Sequence, residues 1–402
     1  MKILITQETD WLIKTPAQQH HLAEMLSLRG HDIRVIDYEL LWKTRGRREL
    51  ISKREVFNGV SKIHQDARIT VIRPGVIKIP GLVYVSLILS HKKEIERQIK
   101  DFAPDVIVGF GILNSYLALK AAAKNRIPFI YYWIDVLDRL IPFRAFQPIG
   151  KIVETKTLKK ADRVLAINEK LKDYVVKMGA RPERASVLRA GINFDQFREA
   201  ADSSRMMAQY NIRNGDVVLF FMGWLYNFSG LKEVALQLAK TQNHNHNVKL
   251  LIVGEGDAYN ELQQIRVKHK LQDRLILTGK RPYQEIPALV ATSNICLLPA
   301  YPNERIMQDI VPIKMYEYMA MKKPVIATRL PGVMTEFGED NGVVYVNRPE
   351  DVIAKATELI QKGSLEELGS RARRFVERLS WDNITTEFER ILEEVVKERK
   401  DK

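Results

Sequence analysis

A single cysteine, Cys296, occurs in 402 residues. No disulfide can form within the chain, and the apolar run Ile295–Leu298 makes Cys296 a small buried residue of a reducing compartment. Asp-X-Asp is absent, so a metal-bridged diphosphate site built on that triplet lacks its ligands and no metal is expected. His244 and His246 are spaced to hold a transition metal weakly, yet the polar stretch 242–247 around them reads as a surface turn. Neither a Gly-X-Ser-X-Gly elbow nor a Cys/His nucleophile pair is evident. No apolar run approaches the ~18 residues needed to span a bilayer. Residues 1–6 read as a strand rather than a secretion signal, so the expected location is the cytoplasm.

Basic residues, by contrast, are in excess. The formal charge is +14 and the isoelectric point about 9.6, which implies a polyanionic partner, nucleic acid or an anionic membrane surface. No nucleic-acid-reading motif is present and the cations are not interleaved with an aromatic platform, so no nucleic acid is expected and the membrane is favoured. Apolar content of 46% fits a globular protein, and the length exceeds what one core organises. Two domains follow.

Strand and helix patterns alternate from end to end, as in parallel sheets covered by helices on both faces, so the class is α/β. The first half opens with a strand at Lys2–Thr6, a helix at 17–28 stopped by Gly30, and a strand at 32–37. His20 and His21 lie on that helix as acceptor or phosphate ligands, or as capping and half-buried residues. Trp42, Lys43, Arg45, Arg47 and Arg48, with Lys53 and Arg54 behind, form a basic stretch broken by one acid, Glu49. Beside the apolar stretch 79–90 it suits a headgroup layer, the alternative being a solvated loop. Phe110 and Gly111 follow a strand at 105–109, where open α/β sheets bind ligands. A further strand ends at Asp135, which is either a site carboxylate or a helix cap.

The most informative stretch is 308–320. Pro312 suits a first helical position, leaving the next amides free to receive an anion, and Lys314 in that first turn opposes the helix dipole unless a phosphate is there to meet it. Asp309 lies before the helix and Glu317 more than a turn inside it, so two carboxylates flank the anion position. A sugar nucleotide fits between them.

This stretch resembles the acidic pair of retaining glycosyltransferases of family 4, which have the GT-B fold, and the resemblance runs on from Tyr316 to Ala327. It implies two Rossmann-like domains facing across a cleft: 1–198 for the acceptor, 199–380 for the nucleotide sugar, and a 381–402 segment whose helix, expected at 384–397, braces the first domain. By position, Glu317 meets the ribose and Asp309 the donor sugar, while Ile310, Val311, Pro312 and Ile313 form the donor-binding approach to the helix start. Gly223 opens the first loop of the second domain. Relatives place an Arg and a Lys there on the diphosphate; Trp224 and Ser229 stand in their places, leaving Lys314, Lys232 and Arg281 as the available cations. Gly254 and Glu255 match the loop of the next strand, and 277–282 the loop against the nucleotide base. Relatives also carry His before Asp135, where this chain has Ile134.

The implied activity is transfer of a sugar, with retention and without metal or other cofactor, from a UDP- or GDP-sugar to a lipid-linked or glycolipid acceptor. The protein is then peripheral at the cytoplasmic face of a membrane. Two alternatives remain: a sugar-nucleotide 2-epimerase of the same fold, and a catalytically weak donor-binding or membrane-recruiting subunit.

Overall fold

Val, Ile, Leu and Phe crowd the strand segments because both faces of each sheet are covered. Val217–Met222, for example, is buried at all six positions. The computed structural model describes residues 1–13, 16–38, 50–79, 82–134, 147–198, 202–241, 248–304, 307–308 and 311–401. They form two units, Met1–Gly191 with Trp381–Lys402, and Ile192–Ser380.

In the first unit, β1 (Lys2–Thr6), β2 (Asp32–Ile36), β3 (Glu55–Val60), β4 (Ile69–Arg73), β5 (Val106–Gly109), β6 (Phe129–Trp133), β7 (Arg163–Ala166) and β8 (Ala185–Val187) make an eight-stranded sheet. Its order is β3-β4-β2-β1-β5-β6-β7-β8. Neighbours are parallel except β3 and β4, an antiparallel edge pair absent from the sequence reading. The second unit holds β9 (Val217–Met222), β10 (Val248–Val253), β11 (Leu275–Leu277), β12 (Ile295–Leu298), β13 (Val325–Thr328) and β14 (Val343–Val346), all parallel, in the order β11-β10-β9-β12-β13-β14. One charge interrupts these strands, Lys249 in β10, whose buried ammonium meets Asp216 at 3.0 Å.

The units divide at 191/192, ahead of the boundary expected past Phe197. The intervening segment packs into the second unit: the Ile192 amide donates to the Leu379 carbonyl at 2.7 Å, Arg373 lies 4.2 Å over the Phe194 ring, and Phe197 meets Tyr283 edge-on at 5.8 Å. The helix Trp381–Lys400 starts three residues earlier than expected and belongs to the first unit. Trp381 stacks on His21 at 4.0 Å, Arg29 pairs with Asp382 and Glu389 at 2.5 and 2.7 Å, and His31 meets Glu389 at 2.6 Å. Among the described residues no helix is long and apolar enough to cross a membrane.

Candidate functional site

In the second unit the strand order reverses between β9 and β12, and open α/β sheets bind ligands at the carboxyl edge of such a switch point. The helix Ile313–Ala320 meets that edge. It starts one residue later than the sequence suggests, with Pro312 as its cap (φ −67°, ψ 132°) and the Pro312 carbonyl accepting from the Met315 amide at 3.0 Å. The first turn contains no acid, and among the described residues the Ile313 and Lys314 amides have no acceptor. Three bonds fix the helix. The Tyr318 hydroxyl accepts from the Met222 amide at 2.9 Å, Tyr316 donates to Glu336 at 3.0 Å, and Arg373 donates to the Ala320 carbonyl at 2.7 Å. Met222 ends β9, so the helix and the loop leaving that strand are held in register.

Lys314 is half-buried and folds back over β9. Its Nζ lies 4.1 Å from the centre of the Phe221 ring, and a Cβ added to Gly223 would stand 2.6 Å from it. Among the described residues no carboxylate is within ion-pair distance. Burial lowers the ammonium to about 8 against the attraction of Glu317, three residues on. Glu317 is 8% exposed and accepts from the Tyr283 hydroxyl at 2.5 Å. Burial raises its carboxyl to about 7, against the opposing effects of Tyr283 and Lys314. A cation and a carboxylate that both titrate near neutrality, beside free amides, can hold a group carrying negative charge at one end and hydroxyls at the other.

Glycines shape the floor. Gly254, at φ +143°, has its α-carbon so close to the Gly223 carbonyl that a Cβ would come within 1.9 Å of that oxygen. The Gly223 amide donates to Val253 and the Gly254 amide to Gly279, at 2.9 and 3.0 Å, which ties together the loops after β9, β10 and β11. Glu255 is exposed and contributes its carbonyl to the Leu225 amide. The other two expected cations are occupied: Lys232 pairs with Glu261 at 2.9 Å and Arg281 with Glu285 at 2.5 Å. Of the three, Lys314 alone is unpaired among the described residues. Trp224 is 53% exposed and continues through Tyr226 to Phe228, which stacks on Tyr226 at 4.7 Å. Ser229 is buried. Val311 and Pro312 adjoin the free amides, whereas Asp309 and Ile310 lie outside the described residues.

In the first unit the expected acceptor residues take structural parts. The His20 ring accepts from the Ala17 amide at 3.1 Å, closing the start of the helix Gln18–Leu28, and lies 3.2 Å from the Trp11 carbonyl. His21 stacks on Trp381, and burial lowers it to about 3, leaving it neutral. Phe110 is buried against Tyr132 at 5.2 Å. Gly111, at φ +97°, makes room for Glu8, whose carboxylate accepts from the Asn114 amide at 2.8 Å at the start of the following helix. Asp135 lies outside the described residues, as do Trp42, Lys43, Arg45, Arg47 and Arg48. Arg54 is not a free membrane cation: it is fixed to buried Glu94 by bonds of 2.7 and 2.9 Å.

Two contributors escaped the sequence reading, Phe221 beneath Lys314 and Tyr283 on Glu317. Tyr283 sits one residue past the loop 277–282 already assigned to the nucleotide base, which was the available signal.

Comparison with known proteins bears on the family and the fold. A model described as Glycosyltransferase Family 4 matches residues 18–196, and one described as Glycosyl transferases group 1 matches 216–362. An uncharacterised glycosyltransferase of Methanocaldococcus jannaschii is 20% identical over 288 residues, 70% of this chain and 67% of that protein. The alpha-D-kanosaminyltransferase of Streptomyces kanamyceticus is 24% identical over 229 residues, 56% of this chain and 58% of that protein, so the chain spans less than two thirds of its length. The crystal structure of Anabaena HepE with UDP superposes with a TM-score of 0.73 at 17% identity, covering 98% of this chain and 100% of that one. WaaG, a glycosyltransferase involved in lipopolysaccharide biosynthesis, gives 0.66 at 15% identity, covering 98% and 99%. With one family model over most of the first unit and another over the sheet of the second, the chain belongs to the family 4-like glycosyltransferases of GT-B fold.

Proposed function

We propose that the protein transfers a sugar, with retention of anomeric configuration and without a metal, from a UDP- or GDP-sugar to a lipid-linked acceptor. The observation that carries this reading is Lys314: an ammonium with no carboxylate at ion-pair distance among the described residues, beside the free amides of its own helix start and one turn from a buried carboxylate. The donor diphosphate fits against Lys314 and those amides, and the ribose hydroxyls donate to Glu317, which Tyr283 holds in place. Asp309, preceding the helix, is assigned to the donor sugar. As the glycosidic bond breaks, charge grows on the departing diphosphate, and Lys314 with the amides stabilises it there. The same phosphate oxygen receives the acceptor proton, so no separate protein base is required. HepE structures in complex with UDP and with UDP-glucose support a nucleotide-sugar donor.

Membrane association is supported by one face of the helix Leu82–Asp101. Leu82, Val85, Ile88 and Leu89 are all exposed on it, and exposed Lys92 and Lys93 follow.

A thermal-shift panel of UDP- and GDP-sugars identifies the donor by stabilisation through mass action. Transfer is then followed with radiolabelled donor, membrane lipid extract and EDTA, and NMR of the product gives the anomer. Label that appears only in a second free nucleotide sugar would establish the epimerase alternative. Absence of both transfer and donor hydrolysis would leave a binding subunit.

A further inference from the structure

On the first unit, the amino-terminal edge of the sheet borders a cavity of about 470 Å³. Phe129 begins β6, Asp162 immediately precedes β7, and Arg184 immediately precedes β8, and all three line it. Ligand sites of open α/β sheets lie at the opposite, carboxyl edge, so this cavity is separate from the acceptor loops.

Its lining is almost entirely of one sign. Lys120 comes from the helix Leu113–Asn125, Lys156, Lys159 and Lys160 from the helix Gln147–Lys160, Arg181 and Arg184 from the segment before β8, and Arg399 from the last helix. Asp162 is the one acid, and it is occupied, accepting from the Phe129 amide at 3.0 Å and lying 3.8 Å from Arg399. Lys159 and Lys160 end a helix, where cations are favoured by its dipole. That accounts for neither Lys120 and Lys156 nor Arg181 and Arg184, which reach the same cavity from other positions. Among the described residues, Lys120, Lys156, Lys160 and Arg181 have no ion-pair partner. Lys120 lies 4.8 Å over the Tyr116 ring, and it, Lys156, Lys160 and Arg181 are exposed, so their charges converge on the concavity from solvent-facing positions and focus a positive field there. The floor is apolar, with Leu119 and Phe129 buried. The volume lies within the roughly 300–1,000 Å³ of small-molecule sites.

We infer that this cavity is a second ligand site, for a small soluble anion carrying two or more closely spaced phosphates. Cations from separate segments around one concavity suit a small ligand with charge on several sides.

The test uses inorganic tripolyphosphate as probe and isothermal titration of the full chain. Because the donor site also binds phosphates, Lys314→Met serves as the background. In that background the inference expects a remaining site, weakened at least tenfold when Lys120, Lys156 and Arg181 are changed together to Gln. A charge-matched control, with Arg213, Lys240 and Lys268 of the second unit changed to Gln, should leave it unaltered. Circular dichroism and melting temperature establish that each variant is folded, and single Lys156→Gln and Arg181→Gln variants replace the triple if it is not. No binding in the Lys314→Met background, or equal weakening by both triples, would overturn the site. Vesicles of phosphatidylcholine with and without 30% phosphatidylglycerol separate the other source of phosphate: if the cavity variants lost vesicle binding while tripolyphosphate binding stayed the same, the small-anion reading would be wrong. Loss of tripolyphosphate binding here with donor affinity intact would also leave the proposed donor site standing.

Discussion

Replacing Lys314 with Met should make the ligand-free protein more stable and the donor complex weaker. Burial moves this ammonium from 10.5 to about 8, so the folded state disfavours its charged form. At 1.36 kcal/mol for each pH unit, the cost at pH 7 is of the order of 3 kcal/mol, an upper value because Lys314 is only half-buried and its loss removes an attraction on Glu317. The sign follows from the direction of the shift. A lysine lowered by folding destabilises fully below about 8, and the effect fades as the pH rises toward 10.5. Met keeps the packing over Phe221 and carries no charge. Its melting temperature at pH 7 should therefore rise by several degrees, at roughly 2–4 °C per kcal/mol for a unit of this size, and the gain should shrink at alkaline pH. Donor binding should move the other way. A hydrogen bond to a charged group is worth about 1.5–3 kcal/mol, so affinity for the nucleotide sugar should fall roughly 10- to 150-fold. Scanning calorimetry at several pH values and titration with the donor identified by the panel measure both. A variant that matched the parent in melting temperature and donor affinity would refute the placement of Lys314 in a buried phosphate site.

Donor affinity should be greatest between about 7 and about 8, weakening below as Glu317 takes up a proton and above as Lys314 loses one; Glu317→Gln should lower affinity and flatten the acid limb, and an unchanged limb would remove Glu317 from the binding reaction. Gly254→Ala should destabilise the second unit by about 1–3 kcal/mol and weaken donor binding, because its Cβ would lie 1.9 Å from the Gly223 oxygen at a φ of +143°; chemical denaturation reads this, and a variant of parental stability would show the loops are not so closely joined. Changing Leu82, Val85 and Leu89 together to Ser should reduce co-sedimentation with anionic vesicles severalfold without loss of fold, since all three are more than half exposed; equal sedimentation would free that helix face from the membrane.

What the sequence determined by itself is what repeats locally. Lys2–Thr6 reads as a strand because it is a short apolar run ahead of a helical pattern, and the structure forms a strand over that span. The 3.6-residue period likewise placed Lys314 and Glu317 one turn apart, and Pro312 marked the helix start to within one residue. Tertiary structure decided which of several similar residues remained available. Lys232 and Arg281 stood behind Lys314 as further available cations in sequence, but Glu261 and Glu285 pair with them, and the first of these partners lies 29 residues away. His20 and His21 read equally as ligands or as capping and half-buried residues, and folding packs them against Trp11 and Trp381, with Glu8 against Gly111. Tyr283 joined Glu317 across 34 residues. The basic cavity draws on segments from Tyr116 to Arg399. Local pattern encodes the period of an element and the place where it starts. It carries no record of which distant charge or ring will pack against a given side chain, because that is settled by how strands and helices close on one another.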